Sequence, residues 1–273
     1  MPSAACCRRP RSARHERRPL DPWALLKART VARIGLGRAG ASIATADHLA
    51  FQAAHAAARD AVLSRLDVEA LTGALEAAGV ATTVLASGAT DRTTYLARPD
   101  LGRSLDPAAA AALAGAAGER PDVAVAVFGG LSAAGIGLHA AELVAGLITD
   151  FRAAGLKTAS VPVVEFGRVA LGDAIGERLG ARLVVVIVGE RPGLTSADAI
   201  GAYVTFRPRV GLTDADRNCV SNIRPAGMPL DEARRRIGWL AREALRLELT
   251  GTGLKDRSDE ALLAAGAPPT AIA

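Results

Sequence analysis

The sequence predicts an α/β fold: a small helical N-terminal domain followed by a Rossmann-like, mostly parallel sheet with helices on both faces. Three observations point there. Short apolar runs at Asp122 to Phe128, Lys157 to Val164 and Arg182 to Val188 alternate with helical stretches, which is the pattern of βαβ units. Each run ends in a glycine-bearing loop: Gly129-Gly130-Leu131-Ser132, Glu165 to Val169, and Gly189-Glu190-Arg191-Pro192-Gly193. The 273 residues are half apolar but only 3% aromatic, so the core must be built from Val, Leu, Ile and Ala, which suits close helix–sheet packing.

Taken in order, residues 1–20 read as a disordered basic tail with little to bury. Asp21-Pro22-Trp23 opens a short helix-like segment, and a glycine-rich turn follows through Gly35, Gly37 and Gly40. From Thr45 to Leu66 apolar residues recur at helical spacing, with Thr45 as N-cap and Asp47 in the first turn. A second helix, Val68 to Ala78, ends at Gly79. Residues 21–85 are therefore assigned to the helical N-terminal domain. Val80 to Leu85 reads as a strand and Pro107 to Ala117 as a helix. Helices at Ile136–Ala154 and Leu171–Leu179 connect the three apolar runs. Ala202 to Phe206 is a further strand and Pro229 to Leu249 a strong final helix. Residues 86–250 make the sheet domain, and 251–273 an extension. Sheets of this kind take ligands at the carboxyl ends of their strands, which makes the three glycine-bearing loops the candidate binding elements.

Charge and cysteine usage narrow the function. Residues 1–20 hold six arginines against Glu16, which accounts for the whole net charge of +5 and leaves the remainder neutral. The body thus has no surplus charge for nucleic acid. The tail lacks the apolar segment of a secretory signal, which argues for an intracellular protein. No uninterrupted apolar run approaches the length of a membrane helix. Cys219 is the only thiol outside the tail, which rules out a disulfide framework in the body or a cysteine-based metal site. His15, His48, His55 and His139 form no metal-ligand spacing; His48 and His55, seven apart on one helix, suit a structural role.

Gly35-Leu36-Gly37-Arg38-Ala39-Gly40 matches the GxGxxG nucleotide fingerprint, and Thr30 to Ile34 passes for a preceding strand. A nucleotide-binding unit also needs an acidic residue at a second strand end, and Asp60 falls inside a helical pattern instead. A turn or interface loop is the better reading. No serine stands in GxSxG and no base is placed beside Cys219, so nucleophilic catalysis has no support.

Four stretches, in this order, carry a resemblance: Thr30 to Gly40; Tyr95-Leu96-Ala97-Arg98-Pro99-Asp100-Leu101-Gly102-Arg103; Val188 to Leu194; and Asp216-Arg217-Asn218-Cys219-Val220-Ser221-Asn222-Ile223. Together they resemble the small (light) subunit of ethanolamine ammonia-lyase, over nearly everything from about Asp21 to Leu249.

The resemblance implies a hetero-oligomer with a large subunit that holds the small-molecule substrate, ethanolamine, and contributes most catalytic groups. It also implies adenosylcobalamin bound between the two chains. The complex would cleave the cobalt–carbon bond homolytically and convert ethanolamine to acetaldehyde and ammonia. No catalytic residue is expected in this chain, and no partnership with nucleic acid or membrane. A cytoplasmic location is implied, with enclosure in a bacterial microcompartment left open. The family's cobalamin contacts carry over to Val169, Glu190 and Cys219. The residues themselves are chemically apt: Glu190 can accept from a corrin amide, Val169 can pack, and Cys219 offers a small polarizable contact. Glycines 189 and 193 would let the backbone approach the cofactor. An ion pair with Arg191 or another arginine is the alternative role for Glu190. Because no histidine stands in a DxHxxG pattern, no protein ligand to cobalt is expected from this chain. Two rivals remain at this stage: a nicotinamide-dependent oxidoreductase using Gly35 to Gly40, and a nucleic-acid-binding protein using the arginine tail.

Overall fold

The computed structural model describes residues 23–115 and 120–264, and the chain divides into two compact units between Asp47 and His48. The arginine-rich tail lies outside the described residues. In the first unit, α1 (Ala24–Lys27) is a single turn, and two-residue strands β1 (Arg38–Ala39) and β2 (Ser42–Ile43) pair antiparallel. Gly40, at φ +63°, starts the turn between them, a left-handed conformation that costs glycine little. Residues 30–34 form bends and coil, not a strand. The GxGxxG string therefore builds a hairpin and no βαβ unit.

Helix α2 (Thr45–Leu63) begins in the first unit and runs into the second. The periodicity predicts it to Leu66, but it stops at Leu63, and the Ser64 hydroxyl donates to the Ala61 carbonyl at 2.7 Å. Leu66 instead drops into the core, and Asp67 caps α3 (Val68–Ala77) by accepting from the Ala70 N–H at 2.9 Å. Along α2 only Ala58 and Ala61 are buried, while Leu49, Phe51 and Leu63 are exposed.

The sheet comprises β3 (Thr82–Val84), β4 (Val123–Phe128), β5 (Val161–Val164), β6 (Leu183–Gly189), β7 (Ile200–Phe206) and β8 (Asn218–Ile223), in the order β3-β5-β4-β6-β7-β8. The first three pairings are parallel and the last two antiparallel. Helices α4 (Arg92–Ala97), α5 (Pro107–Gly115), α6 (Ala133–Ala153), α7 (Leu171–Leu179), α8 (Leu230–Leu247) and α9 (Ser258–Ala264) complete the unit.

Side-chain alternation on the central strands divides the core in two. Val123, Val125 and Val127 of β4 join Leu183, Val185 and Ile187 of β6 on the face covered by α3, α6 and α8. Ala124, Ala126 and Phe128, with Val184, Val186 and Val188, face α5 and α7. This is why both strands read as unbroken apolar runs. Helix α6 is long and apolar enough to cross a membrane by length and composition, but half of it is buried in this core. The strand β3 and helix α3 belong to the same sheet and core.

The chain passes from β4 to β5 through α6 on one face, then back across β4 to β6 through α7 on the other. The connections leaving the neighbouring strands β4 and β5 thus diverge, which opens a crevice outside their carboxyl ends, beside the end of β6.

One buried ion pair ties α7 to the approach to β8. Arg217 meets Asp173 at 2.5 Å, each side chain 2% exposed, and also donates to the Leu212 carbonyl at 3.0 Å. Burial pushes the Asp173 carboxyl up, against the stabilising guanidinium. Removing one partner strands the other charge. Asp173→Ala is expected to cost about 3–5 kcal/mol in urea unfolding. Breaking the half-exposed Arg234–Asp150 pair with Arg234→Ala should cost only about 1 kcal/mol; equal losses would refute the distinction.

Candidate functional site

At the crevice the carboxyl ends of β4 and β6 meet backbone to backbone. A Cβ on Gly189 would lie 2.2 Å from the Ser132 carbonyl oxygen and 2.4 Å from that of Gly129. One on Gly130, at φ +61°, would lie 2.3 Å from the Gly189 carbonyl oxygen. Only glycine permits this approach. The Leu131 N–H donates to Gly189 at 2.9 Å, and the buried Ser132 hydroxyl reaches the Ala197 carbonyl at 2.7 Å and accepts from the Gly135 N–H, capping α6. The close approach expected of Gly189 is therefore made to the protein's own backbone. At Gly193 a Cβ would meet only the Ser196 hydroxyl of its own loop, which can turn away.

The loop after β5 is held by α4. The Asp91 carboxylate caps α4 by accepting from the Thr94 N–H at 2.9 Å. Fully buried Tyr95 donates its hydroxyl to the Gly167 carbonyl at 3.1 Å and packs against Phe166. Arg92 spans outward from the same helix, donating to the carbonyls of Val62, Gly130 and Leu131 at 2.6, 2.7 and 2.9 Å. Helix α4 thereby fixes the loops after β4 and β5 relative to each other. Short and polar, it gave no periodicity to read.

These elements enclose an open cavity of about 360 Å³. Leu131 and Val188 supply apolar wall; Val169 and Arg168 come from the loop after β5, Glu190 and Arg191 from the loop after β6. Tyr95 and Tyr203 complete it. Val169 and Glu190 thus share one cavity. Cys219 stands beside it, as the register partner of Tyr203 on the neighbouring strand.

Glu190 accepts from the Asn222 N–H at 3.1 Å, and among the described residues no ion pair joins it to Arg191. Burial raises its pKa above the ordinary carboxylate range, opposed by that one hydrogen bond. The Tyr203 phenol is pushed up, chiefly by burial. Cys219 is exposed on one side and crowded by protein on the other. Its thiol is raised by desolvation despite the Tyr203 hydroxyl, which donates to sulfur. A neutral tyrosine, a neutral thiol and a carboxylate with spare acceptor capacity suit recognition of a polar periphery better than nucleophilic attack.

Sequence reasoning placed Leu131 and Arg168 in candidate loops without an individual role and did not single out Tyr95 or Tyr203. One signal was available: the chain has two tyrosines, and both line this cavity.

Comparison with known proteins decides the family. The model for the ethanolamine ammonia-lyase light chain (EutC) matches residues 20–255. The chain belongs to the ethanolamine ammonia-lyase small-subunit family. Ethanolamine ammonia-lyase small subunits from Ralstonia nicotianae, Azotobacter vinelandii and Xanthomonas campestris pv. campestris are 51%, 50% and 49% identical to it. Those alignments cover 90%, 91% and 90% of this chain and 92%, 94% and 91% of the relatives. As an ethanolamine ammonia-lyase small subunit, it is part of a carbon–nitrogen lyase of ethanolamine catabolism. The match spans the fold and the cavity together, and it sets aside the oxidoreductase reading of the glycine string.

Because the Glu190 carboxyl is raised in the folded state, the folded chain holds its proton more tightly than the unfolded one. Stability therefore falls as pH rises from the unfolded carboxylate range through the folded pKa. Glu190→Gln should make the chain more stable at pH 7, by at most about 1 kcal/mol after solvent screening. The advantage should vanish below about pH 4. Urea titrations at the two pH values test this; a less stable variant at pH 7 would contradict it.

Proposed function

We propose that this chain completes the adenosylcobalamin site of ethanolamine ammonia-lyase, in a hetero-oligomer with the large subunit that the name "small subunit" implies, and holds the cofactor through Val169, Glu190 and Cys219. The supporting observation is the cavity itself. It lies at the carboxyl ends of β4 and β6, with Val169 and Glu190 in its wall and Cys219 on the adjoining strand.

The residues fit the cofactor. Cobalamin presents a broad apolar corrin face ringed by amides, and the cavity offers apolar wall at Val169, Leu131 and Val188 beside a half-desolvated carboxylate. A cavity of about 360 Å³ is of a size to bury a drug-sized ligand, and cobalamin is several times larger. This chain then supplies one wall, and the large subunit supplies the rest together with the ethanolamine pocket.

When bound, the cofactor supplies radical chemistry by homolysis of its cobalt–carbon bond. What this chain does is bind and orient. Glu190, steadied by Asn222, accepts an amide hydrogen; Val169 packs on the corrin; Cys219, held as a thiol by its surroundings, makes a small soft contact. Together these side chains exclude water from one side of the cofactor. The chain contributes no general acid or base and no ligand to cobalt. Acetaldehyde and ammonia are the products of the assembled enzyme.

Co-expression with the large subunit tests this. The purified complex should deaminate ethanolamine only with adenosylcobalamin, and the large subunit alone should not. Cys219→Trp, which crowds the cofactor face, should assemble normally but raise the KM for adenosylcobalamin by about tenfold or more, equivalent to about 1.4 kcal/mol of binding. Full turnover by the large subunit alone would overturn the proposal, and an unchanged KM would remove Cys219 from the site.

A further inference from the structure

We propose that Arg168 recognises the phosphodiester of the cobalamin nucleotide loop. The inference rests on the cobalamin reading above and deepens it, by assigning a contact to the cofactor's one anionic group.

Arg168 lines the cavity next to Val169, and its backbone is fixed by donation to the Gly102 carbonyl at 2.8 Å. The guanidinium lies over the Tyr95 ring, 4.6 Å from its centroid, and Nη2 reaches the Tyr95 carbonyl at 3.1 Å. Among the described residues no other hydrogen bond engages its side chain. Nε is closed off from water with no acceptor, and among the described residues neither Nη1 nor any carboxylate pairs with it.

Several other arginines of the fold are spent on partners. Arg217 is paired with Asp173, Arg234 with Asp150, Arg236 with Glu232, and Arg65 with Glu165. Arg92 has no carboxylate but spends its guanidinium on three carbonyls. It also sits over the same Tyr95 ring at 5.2 Å and repels Arg168. Arg191 adds a second cation to the cavity wall. The one acid there, Glu190, accepts from the Asn222 N–H. The cavity wall thus sets two cations, Arg168 and Arg191, against one acid.

The geometry of the unspent edge selects the ligand. With Nε closed off, a ligand meets the terminal nitrogens, which form a fork that fits two oxygens of a single group. A corrin side-chain amide offers one carbonyl oxygen and no charge. A phosphodiester offers two non-bridging oxygens and one negative charge, which matches both the fork and the local field.

The test is equilibrium dialysis of the assembled two-subunit complex against adenosylcobalamin and adenosylcobinamide, which keeps the corrin and adenosyl group but lacks the nucleotide phosphodiester. Arg168→Gln should weaken adenosylcobalamin on the order of tenfold or more and leave adenosylcobinamide unchanged. A merely structural role, or a contact to a corrin amide, would weaken both equally and overturn the assignment. So would retention of wild-type affinity for adenosylcobalamin. If the wild-type complex bound neither probe, the cobalamin reading itself would fail, an outcome visible before any variant is made.

Discussion

The carboxyl ends of β4 and β6 touch through bare backbone, and this contact sets everything above it. With Gly129, Gly130 and Gly189 packed carbonyl against Cα, the two strands can separate only beyond residue 189. The loops carrying Leu131 and Glu190 then emerge side by side at the point where the chain's crossovers diverge. A methyl group at any of the three positions would push carbonyl oxygens apart and widen the crevice. The glycines therefore serve the shape of the site through contacts the protein makes with itself.

Around that fixed point the polar groups are divided between holding and binding. Tyr95, Arg92, Ser132 and the Asp173–Arg217 pair spend their hydrogen bonds on the protein, pinning the loops after β4 and β5, the start of α6, and the approach to β8. Glu190, the Arg168 terminal nitrogen Nη1 and Cys219 keep capacity in reserve among the described residues. The sheet face explains where the open side lies. Helix α7 covers the central strands, while Tyr203 of β7 and Cys219 of β8 stand at an antiparallel margin. This is the arrangement of a wall awaiting a second wall, consistent with a subunit that binds a cofactor without carrying its chemistry alone.

Much of this was legible in the sequence because the central strands are buried on both faces. Leu183 to Val188 reads as a strand since both sheet faces demand apolar side chains there, and the loops that line the cavity followed from the strand ends. Strand β8 escaped notice for the opposite reason: it is an edge strand with Asn218, Ser221 and Asn222 exposed or half-exposed, and a register shift interrupts its pairing. Helix α2 shows the limit of periodicity. The spacing of Leu49, Ala53 and Ala57 correctly announces a helix, yet spacing cannot say whether an apolar face is met by its own chain, and here most of it is not. Gly189 was rightly taken as a close-approach position, but the partner is the Ser132 carbonyl, a contact between residues 57 apart that no local pattern encodes. Arg168 was equally invisible, since an unspent donor is recognised only after every neighbour's bonds are known.

The central claim, that this chain is one wall of the cobalamin site and no more, is tested most directly by the structure of the two-subunit complex determined with adenosylcobalamin bound. The account requires corrin density in van der Waals contact with Val169 and Cys219, a Glu190 carboxylate oxygen at hydrogen-bond distance from a peripheral amide, and no side chain of this chain on cobalt. Density lodged wholly within the large subunit, or cobalt coordinated by a residue of this chain, would contradict it.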